Sequence, residues 1–370
     1  MYKSIGVLTH YYNSTNYGGL LQSYALCRYL NSKGVDAKQV CFDASKQSLK
    51  IPAKIKLHLY YAKKRLWGLV NPKAFLEIRK RNKSVVAFRN GIPHTNRVYT
   101  FKNLYKLNDC FDAFITGSDQ VWNPISVNEA YSLSFSKKPN YSYAASVASE
   151  TIPDKKTKYY EDFLKSFKKV SVRERNAKRI LPVESTLVLD PVFLVSADTW
   201  RTVASPRLIK EPYVFCYFLG DSIEGRKMAV KFAHENNLKV VNIPYLKGFY
   251  RKCDDNLFDY SLSEITPNDF LSLIMNAEYV FTDSFHAICF SYIYKKSFFV
   301  FDRPGKASMN TRIEDILFTL DLEARFIADS TKNLNEYSDI DYSKDADRFS
   351  ALKQDSENFI SSIIRGSKDG

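Results

Sequence analysis

No stretch of this chain approaches the ~18 uninterrupted apolar residues that a membrane-spanning helix requires. Residues 1–10, MYKSIGVLTH, also lack the longer apolar core and small-residue cleavage site of a secretion signal. The six cysteines (Cys27, Cys41, Cys110, Cys216, Cys253 and Cys289) form no C-x-x-C pair and fall mostly in apolar patterns. They read as reduced core residues, so a cytoplasmic protein is expected. The five histidines show no H-x-x-x-H spacing, and the one dense carboxylate cluster, Asp254-Asp255-Asn256, reads as a polar loop. No metal is therefore expected. G-x-G-x-x-G is missing, which argues against a dinucleotide cofactor even though Asp43 closes a strand as a ribose ligand would. G-x-S-x-G is missing too, and Cys289 lies inside a hydrophobic helix, so no serine or cysteine nucleophile stands out. The expected cofactor count is zero.

Acidic residues are also short: 40 against 54 lysines and arginines, a net charge of +14. Basic clusters lie at Lys63-Lys64-Arg65, at Arg79-Lys80-Arg81 with Lys83, and from Lys165 to Lys169. Nucleic acid, an anionic membrane surface or an anionic substrate would each suit such a balance. No helix-turn-helix, zinc-finger or RNP-type signature is present, so nucleic acid is not the expected partner. Residues 54–83 mix basic and aromatic side chains at near-helical spacing. That pattern suits either a helix resting on anionic lipid or a solvated insertion helix with one buried face.

What is present is α/β rhythm over a length that suits two domains. Ile5 to Thr9 reads as a strand, Leu20 to Leu30 as a helix ended by Gly34, and Lys38 to Phe42 as the next strand. A basic helical excursion covers about 44–106. Strand signals resume at Phe111 to Thr116, Tyr141 to Ser146, Val170 to Val172 and Thr186 to Leu189. The rhythm fails over 195–212, where a linker is expected. It returns with a strand at Tyr213 to Leu219, a helix at Glu224 to Glu235 and a strand at Lys239 to Ile243. Thr266 and Pro267 then start another helix. The expected domains are 1–196 and 212–330. A polar tail, 331–370, should carry a terminal helix from Tyr342 to Ile364.

The most informative segment runs from Tyr279 to Asp302. Tyr279 to Thr282 reads as a buried strand, Ala287 to Tyr294 as a helix and Ser297 to Phe301 as a second buried strand. The crossover is about the minimum for a parallel β-α-β unit. His286 then sits where a strand gives way to a helix, where open α/β sheets bind ligands and free amides favour anions. A histidine there can hold a phosphate or carboxylate and move a proton; it can equally cap the helix. Gly117-Ser118-Asp119-Gln120-Val121-Trp122-Asn123 follows another strand. Asp119 is a candidate base for a sugar hydroxyl, Ser118, Gln120 and Asn123 could orient hydroxyls, and Trp122 could stack on a sugar ring. A capped turn plugged by Trp122 is the other reading. Arg173 follows the strand at Val170 to Val172 and could grip a carboxylate or phosphate at two points, or pair with Glu174 or Glu150.

The wording TDSFHA, with the K-x-F-F-V-F strand and Thr311-Arg312-Ile313-Glu314-Asp315, resembles the polysaccharide pyruvyl transferase family. Asn16-Tyr17-Gly18-Gly19 with Gln22 and Ala25, the GSDQVWN turn, Tyr143-Ala144-Ala145-Ser146 and Ser171-Val172-Arg173-Glu174 extend the likeness to Phe326. The resemblance implies two doubly wound, Rossmann-like α/β domains in a glycosyltransferase-B-like arrangement with a cleft between them. It implies transfer of a pyruvyl group from phosphoenolpyruvate, as co-substrate, to a sugar of a cell-surface polysaccharide or its precursor, including a lipid-linked one. His286 and Asp119 would then be catalytic. Arg173, Ser284, Phe285, Arg303, Lys306 and Arg312 would bind the donor, and Asn16, Gly18, Gly19, Gln22, Ser118, Gln120, Trp122 and Asn123 the acceptor. One position departs from the family: Ser284 stands where characterised members carry an arginine. A cation at ~4 Å from a dianionic phosphate is worth about 4 kcal/mol at an effective dielectric near 20, so Arg303, Lys306 or Arg312 must compensate or the donor differs. A nucleotide-sugar glycosyltransferase and a non-catalytic carbohydrate-binding relative are the competing readings.

Overall fold

The computed structural model describes residues 1–46, 59, 62–63, 66, 69–244, 252–254, 256–303, 307–344 and 346–366. Its first half carries β1 (Ser4–Leu8), α1 (Tyr17–Ser32), β2 (Asp36–Gln39), α2 (Pro72–Gly91), β3 (Ala113–Gly117), β4 (Asn140–Tyr143), α3 (Asp154–Leu164) and β5 (Phe167–Lys169). These strands form one parallel sheet in the order β2-β1-β3-β4-β5. Then come β6 (Ser171–Val172), α4 (Arg175–Ile180), β7 (Thr186–Leu187) and α5 (Ala197–Val203). The second half carries β8 (Tyr213–Tyr217), α6 (Ile223–Glu235), β9 (Lys239–Asn242), β10 (Tyr260–Ser261), α7 (Pro267–Met275), β11 (Tyr279–Thr282), α8 (Phe285–Ile293), β12 (Ser297–Phe301), α9 (Ala307–Thr319), β13 (Phe326–Ile327) and α10 (Ala346–Arg365). Its parallel sheet has the order β10-β9-β8-β11-β12-β13. The fold is thus two doubly wound α/β layers, as expected. Strands covered on both faces need continuous apolar runs, and β3, β8 and β12 are buried at every residue.

Several boundaries differ from the sequence reading. The expected strand from Val170 to Val172 is shortened to β6 and is separate from the strand before it. β5 ends at Lys169, and β6 leaves the main sheet to pair with β7. The expected linker contains α5, whose Trp200 is fully buried and donates its indole N–H to the Val192 carbonyl at 2.9 Å. The Ser196 cap, which accepts from the Thr199 amide, and the burial of Trp200 support this helix, which ends before both prolines of the segment. The polar tail returns to the first half: Ile360, Ile363 and Ile364 of α10 pack with Ile5, Val7 and Leu26. Local signals worked well where caps decide. Asn16 accepts from the Gly19 amide at 3.2 Å, Gly34 takes φ +82° after α1, and Thr266 and Asp269 form a capping box on α7.

The two halves meet through packed side chains. Tyr17, Leu20 and Leu21 of α1 share one core with Phe270, Phe285 and Ile288 of the second half. The Tyr17 and Phe270 rings stack at 5.5 Å. Within the basic excursion α2 buries Ile78, Arg81 and Val85 while Arg79, Lys80 and Lys83 stay exposed. Arg81 donates to the Tyr17 hydroxyl at 3.1 Å and to the Thr15 carbonyl at 3.0 Å. Tyr17 in turn donates to the Ile265 carbonyl at 3.0 Å. This helix therefore clasps the junction of the two halves through one buried cation.

Candidate active site

Parallel strands aim their carboxyl ends one way, so the loops after β1, β3, β6 and β7 and the start of α8 gather on one side of the junction. Asp190, at the exit of β7, is the hub. Its Oδ2 accepts from Arg173 Nη1 at 2.6 Å and from the Ser118 hydroxyl at 2.7 Å, and lies 3.9 Å from His286 Nε2. Arg173 also donates to the Ser118 hydroxyl at 3.1 Å and approaches Glu174 and Asp119 at 3.7 and 3.9 Å. Its guanidinium lies over the Phe285 ring, 4.1 Å from the centroid. Side chains from the two halves thus address one carboxylate.

His286 is the second residue of α8, with Ser284 at the N-cap, so it points from a helix start as expected. Both His286 and Arg173 are buried, with only 7% and 6% of their surfaces exposed. Gly18 is what lets α1 approach: a Cβ there would stand 2.1 Å from His286 Nδ1. A Cβ at Gly19 would lie 3.3 Å from Asp119 Oδ2. Asp119 itself sits at φ +55°, a left-handed turn that aspartate tolerates. Arg312, buried on α9, presents both Nη atoms at 3.0 Å to the Gln120 side-chain oxygen when that amide faces its donors.

The field inside this cluster sorts its protonation states. Burial drives the His286 imidazole down to about 4; the Asp190 carboxylate opposes this and Arg173 reinforces it. His286 is therefore neutral at pH 7. Burial alone would raise Asp119, but His10, Arg173, His286 and Arg312 pull it down to about 2. Burial and then the like charge of Arg173 lower Arg312 to about 10, so it remains a cation. Arg173 is held above its ordinary value: burial opposes its charge, and Asp190, Glu174 and Asp119 more than offset it.

His286 makes folding pH-dependent. Its folded value lies below its ordinary 6.5, so its contribution is complete above pH 6.5 and is lost as pH falls towards 4. About 3 kcal/mol of stability should disappear between pH 7 and pH 4 on this account. Urea melts of the wild type and His286→Asn at both pH values check it. A variant losing as much as the wild type would show that another group carries the effect.

Other expected residues are placed differently. Trp122 is fully buried among Tyr131, Phe163 and Phe167, and donates to the Tyr131 carbonyl at 3.0 Å, so it has no face for a sugar. Its indole fills the core beneath the turn. Ser118 is spent on Asp190. Asn123 donates to the Ala148 carbonyl and accepts from the Ile125 amide, which makes it a turn cap. Gln22 donates to the Gly19 carbonyl at 2.8 Å inside α1. Arg303, expected to bind the donor, is buried against Asp283 at 3.2 Å. Lys306 lies outside the described residues.

Asp190 and His10 escaped the sequence reading, and Glu174 is a buried member of the cluster. Glu174 accepts from the Ser146 hydroxyl and from the Ala148 amide at 3.2 Å. His10 acts on Asp119 through its charge and packs on Tyr131 at 4.7 Å. The one available signal was Leu189-Asp190-Pro191, an aspartate halted by proline at a strand exit. Among the described residues no group of three His, Cys, Asp or Glu is placed to hold a metal ion. No helix among them is long and apolar enough to cross a membrane.

Comparison with known proteins bears on this arrangement. A family model described as polysaccharide pyruvyl transferase matches residues 16–304. No curated protein matches the sequence. Among solved structures, UDP-GlcNAc 2-epimerase from Neisseria meningitidis bound to UDP-GlcNAc is similar at 10% identity and a TM-score of 0.49, covering 98% of this chain and 99% of that one. MurG from Acinetobacter baumannii is similar at 9% identity and 0.45, over 96% and 90% of the two chains. ADP-heptose LPS heptosyltransferase II from E. coli is similar at 12% identity and 0.39, over 96% and 99%.

Proposed function

Because this chain belongs to the polysaccharide pyruvyl transferase family, we propose that it transfers the pyruvyl group of phosphoenolpyruvate to two hydroxyls of one sugar in a polysaccharide or its precursor. One observation carries the reading. Arg173 Nε and Nη2 and His286 Nε2 are buried, lack hydrogen-bond partners among the described residues, and flank the same carboxylates. Buried donors left unsatisfied are costly, and they suit an anionic ligand that accepts from them.

In this reaction a proton adds to the vinyl carbon, one hydroxyl bonds to the adjacent carbon, and the second hydroxyl displaces phosphate from it. One hydroxyl proton ends on the new methyl group and the other on phosphate. Arg173 is the residue for the donor's carboxylate or phosphate. Arg312, buried beside Arg173, Glu174 and Asp119, is the cation that makes up for Ser284 in this reading. Neutral His286 gains basicity as a dianion binds beside it and then delivers the proton. Asp119, held near 2, is too weak a base at pH 7 and acts instead as counter-charge to the developing cation.

Phosphoenolpyruvate at millimolar concentration should raise the melting temperature without added divalent metal, since binding to the folded state stabilises it. A shift with a nucleotide sugar and none with phosphoenolpyruvate would overturn the proposal in favour of a glycosyltransferase.

An anionic membrane surface is a further partner we propose, with the protein on its cytoplasmic side. Leu69 and Val70 are 78% and 80% exposed, close in sequence to exposed Lys63, Arg79 and Lys83. The protein should sediment with phosphatidylglycerol vesicles more than with phosphatidylcholine vesicles, and Leu69→Ser with Val70→Ser should weaken this. Equal sedimentation with both vesicles would remove the membrane from the reading.

A further inference from the structure

The second sheet has its own ligand crevice. In the order β10-β9-β8-β11-β12-β13 the chain reverses direction between β8 and β11. Parallel sheets bind ligands beyond the carboxyl ends of strands at such a switch point, and phosphates there rest on backbone amides of the first turn. In this chain that turn is Leu219-Gly220. Its two amides donate to the Asp283 carboxylate, at 2.6 Å to Oδ1 and 2.7 Å to Oδ2. Arg303 adds Nε at 3.2 Å to Oδ2 and Nη2 at 3.3 Å to Oδ1, and donates to the Asp283 carbonyl at 2.7 Å. Asp283 is wholly buried. Beside it, the Thr282 hydroxyl donates to the Tyr217 carbonyl at 2.6 Å and accepts from the Ser284 amide at 3.0 Å, which ties the ends of β8 and β11 together. A Cβ at Gly220 would stand 2.9 Å from Asp283 Oδ2, so the turn approaches the carboxylate as closely as only glycine permits.

Two amides and a guanidinium converging on one point are the donor set of a phosphate seat. Here the chain's own carboxylate occupies it. We propose that Asp283 is a specificity-determining residue that closes the switch-point anion seat to the diphosphate of a nucleotide. Bound anion is thereby directed to Arg173 and His286 in the neighbouring cluster. The inference rests on the proposed transferase reading for its consequence, since a donor without a nucleotide needs no such seat. The seat itself is tested without reference to that reaction.

Three full-length proteins decide the matter: wild type, Asp283→Ala and Asp283→Asn, each melted with and without inorganic pyrophosphate and uridine diphosphate. The wild type should respond to neither anion at this seat. Asp283→Ala should melt lower, because two amides and Arg303 lose their acceptor. Pyrophosphate should then restore it, binding at least about tenfold tighter than to the wild type. Asp283→Asn keeps the volume and loses the charge, so it should show the same gain if the alanine variant does not fold. Variants that gain no pyrophosphate response would overturn the proposal. So would a wild type stabilised by uridine diphosphate in a way that Asp283→Asn abolishes. A gain in pyrophosphate response alongside no wild-type response to phosphoenolpyruvate would leave the seat assigned and sink only the donor.

Discussion

Arg173→Ala should abolish turnover and cost about 3–5 kcal/mol of stability, the range for removing one partner of a buried ion pair. The guanidinium is 1% exposed and its Asp190 partner 0%. Removing it leaves the Asp190 carboxylate with the Ser118 hydroxyl, the Val192 amide and a neutral imidazole 3.9 Å away, and no cation. Arg173→Ala with Asp190→Ala should recover part of the loss, because the Asp190 carboxylate is then no longer buried without its cation, while Glu174 and Asp119 still lack Arg173. Urea melts of the four proteins give the coupling, and phosphoenolpyruvate-induced shifts report the ligand. A single variant within about 1 kcal/mol of the wild type would show that the pair is not as buried as the structure places it.

Gly18→Ala should disable His286 without touching it. In an isolated helix the change would stabilise by about 1 kcal/mol. Here the new methyl would stand 2.1 Å from His286 Nδ1 and 2.8 Å from His286 Cβ. A ring can swing aside, but its Cβ cannot, so α1 and α8 must separate. We expect about 1–3 kcal/mol of destabilisation from overpacking and loss of the phosphoenolpyruvate response. Gly19→Ala is the control, since its Cβ would come no nearer than 3.3 Å to any neighbour, the closest being Asp119 Oδ2. Gly18→Ala with unchanged stability and ligand response would sink the claim that this glycine sets the spacing of the two helices.

The unit around His286 was legible because its signals are local. Tyr279–Thr282 and Ser297–Phe301 are strands at the bounds that the apolar runs predict, with one helix between them. The same holds for the start of α7, where threonine, proline and aspartate meet within four positions. Trp122 was misread because an indole beside polar turn residues looks alike whether it faces a sugar or a core. Only the approach of Phe163 and Phe167 settles that. Arg303 was misread because its partner, Asp283, lies on another strand exit and had been passed over in favour of its neighbours.

By itself the sequence determined the family, the two α/β halves and the strand exits that carry polar residues. Hydrophobic period, caps and motif order are properties of neighbouring residues. Tertiary structure decided which of those residues form one cluster, and which charges are buried. Asp190 joins Arg173 and His286 because two strand exits and a helix start from different halves meet across a glycine. Burial and mutual charge, set by that meeting, hold His286 neutral and Asp119 ionised at neutral pH. Desolvation and Coulomb forces depend on distance in space, which no spacing along the chain records.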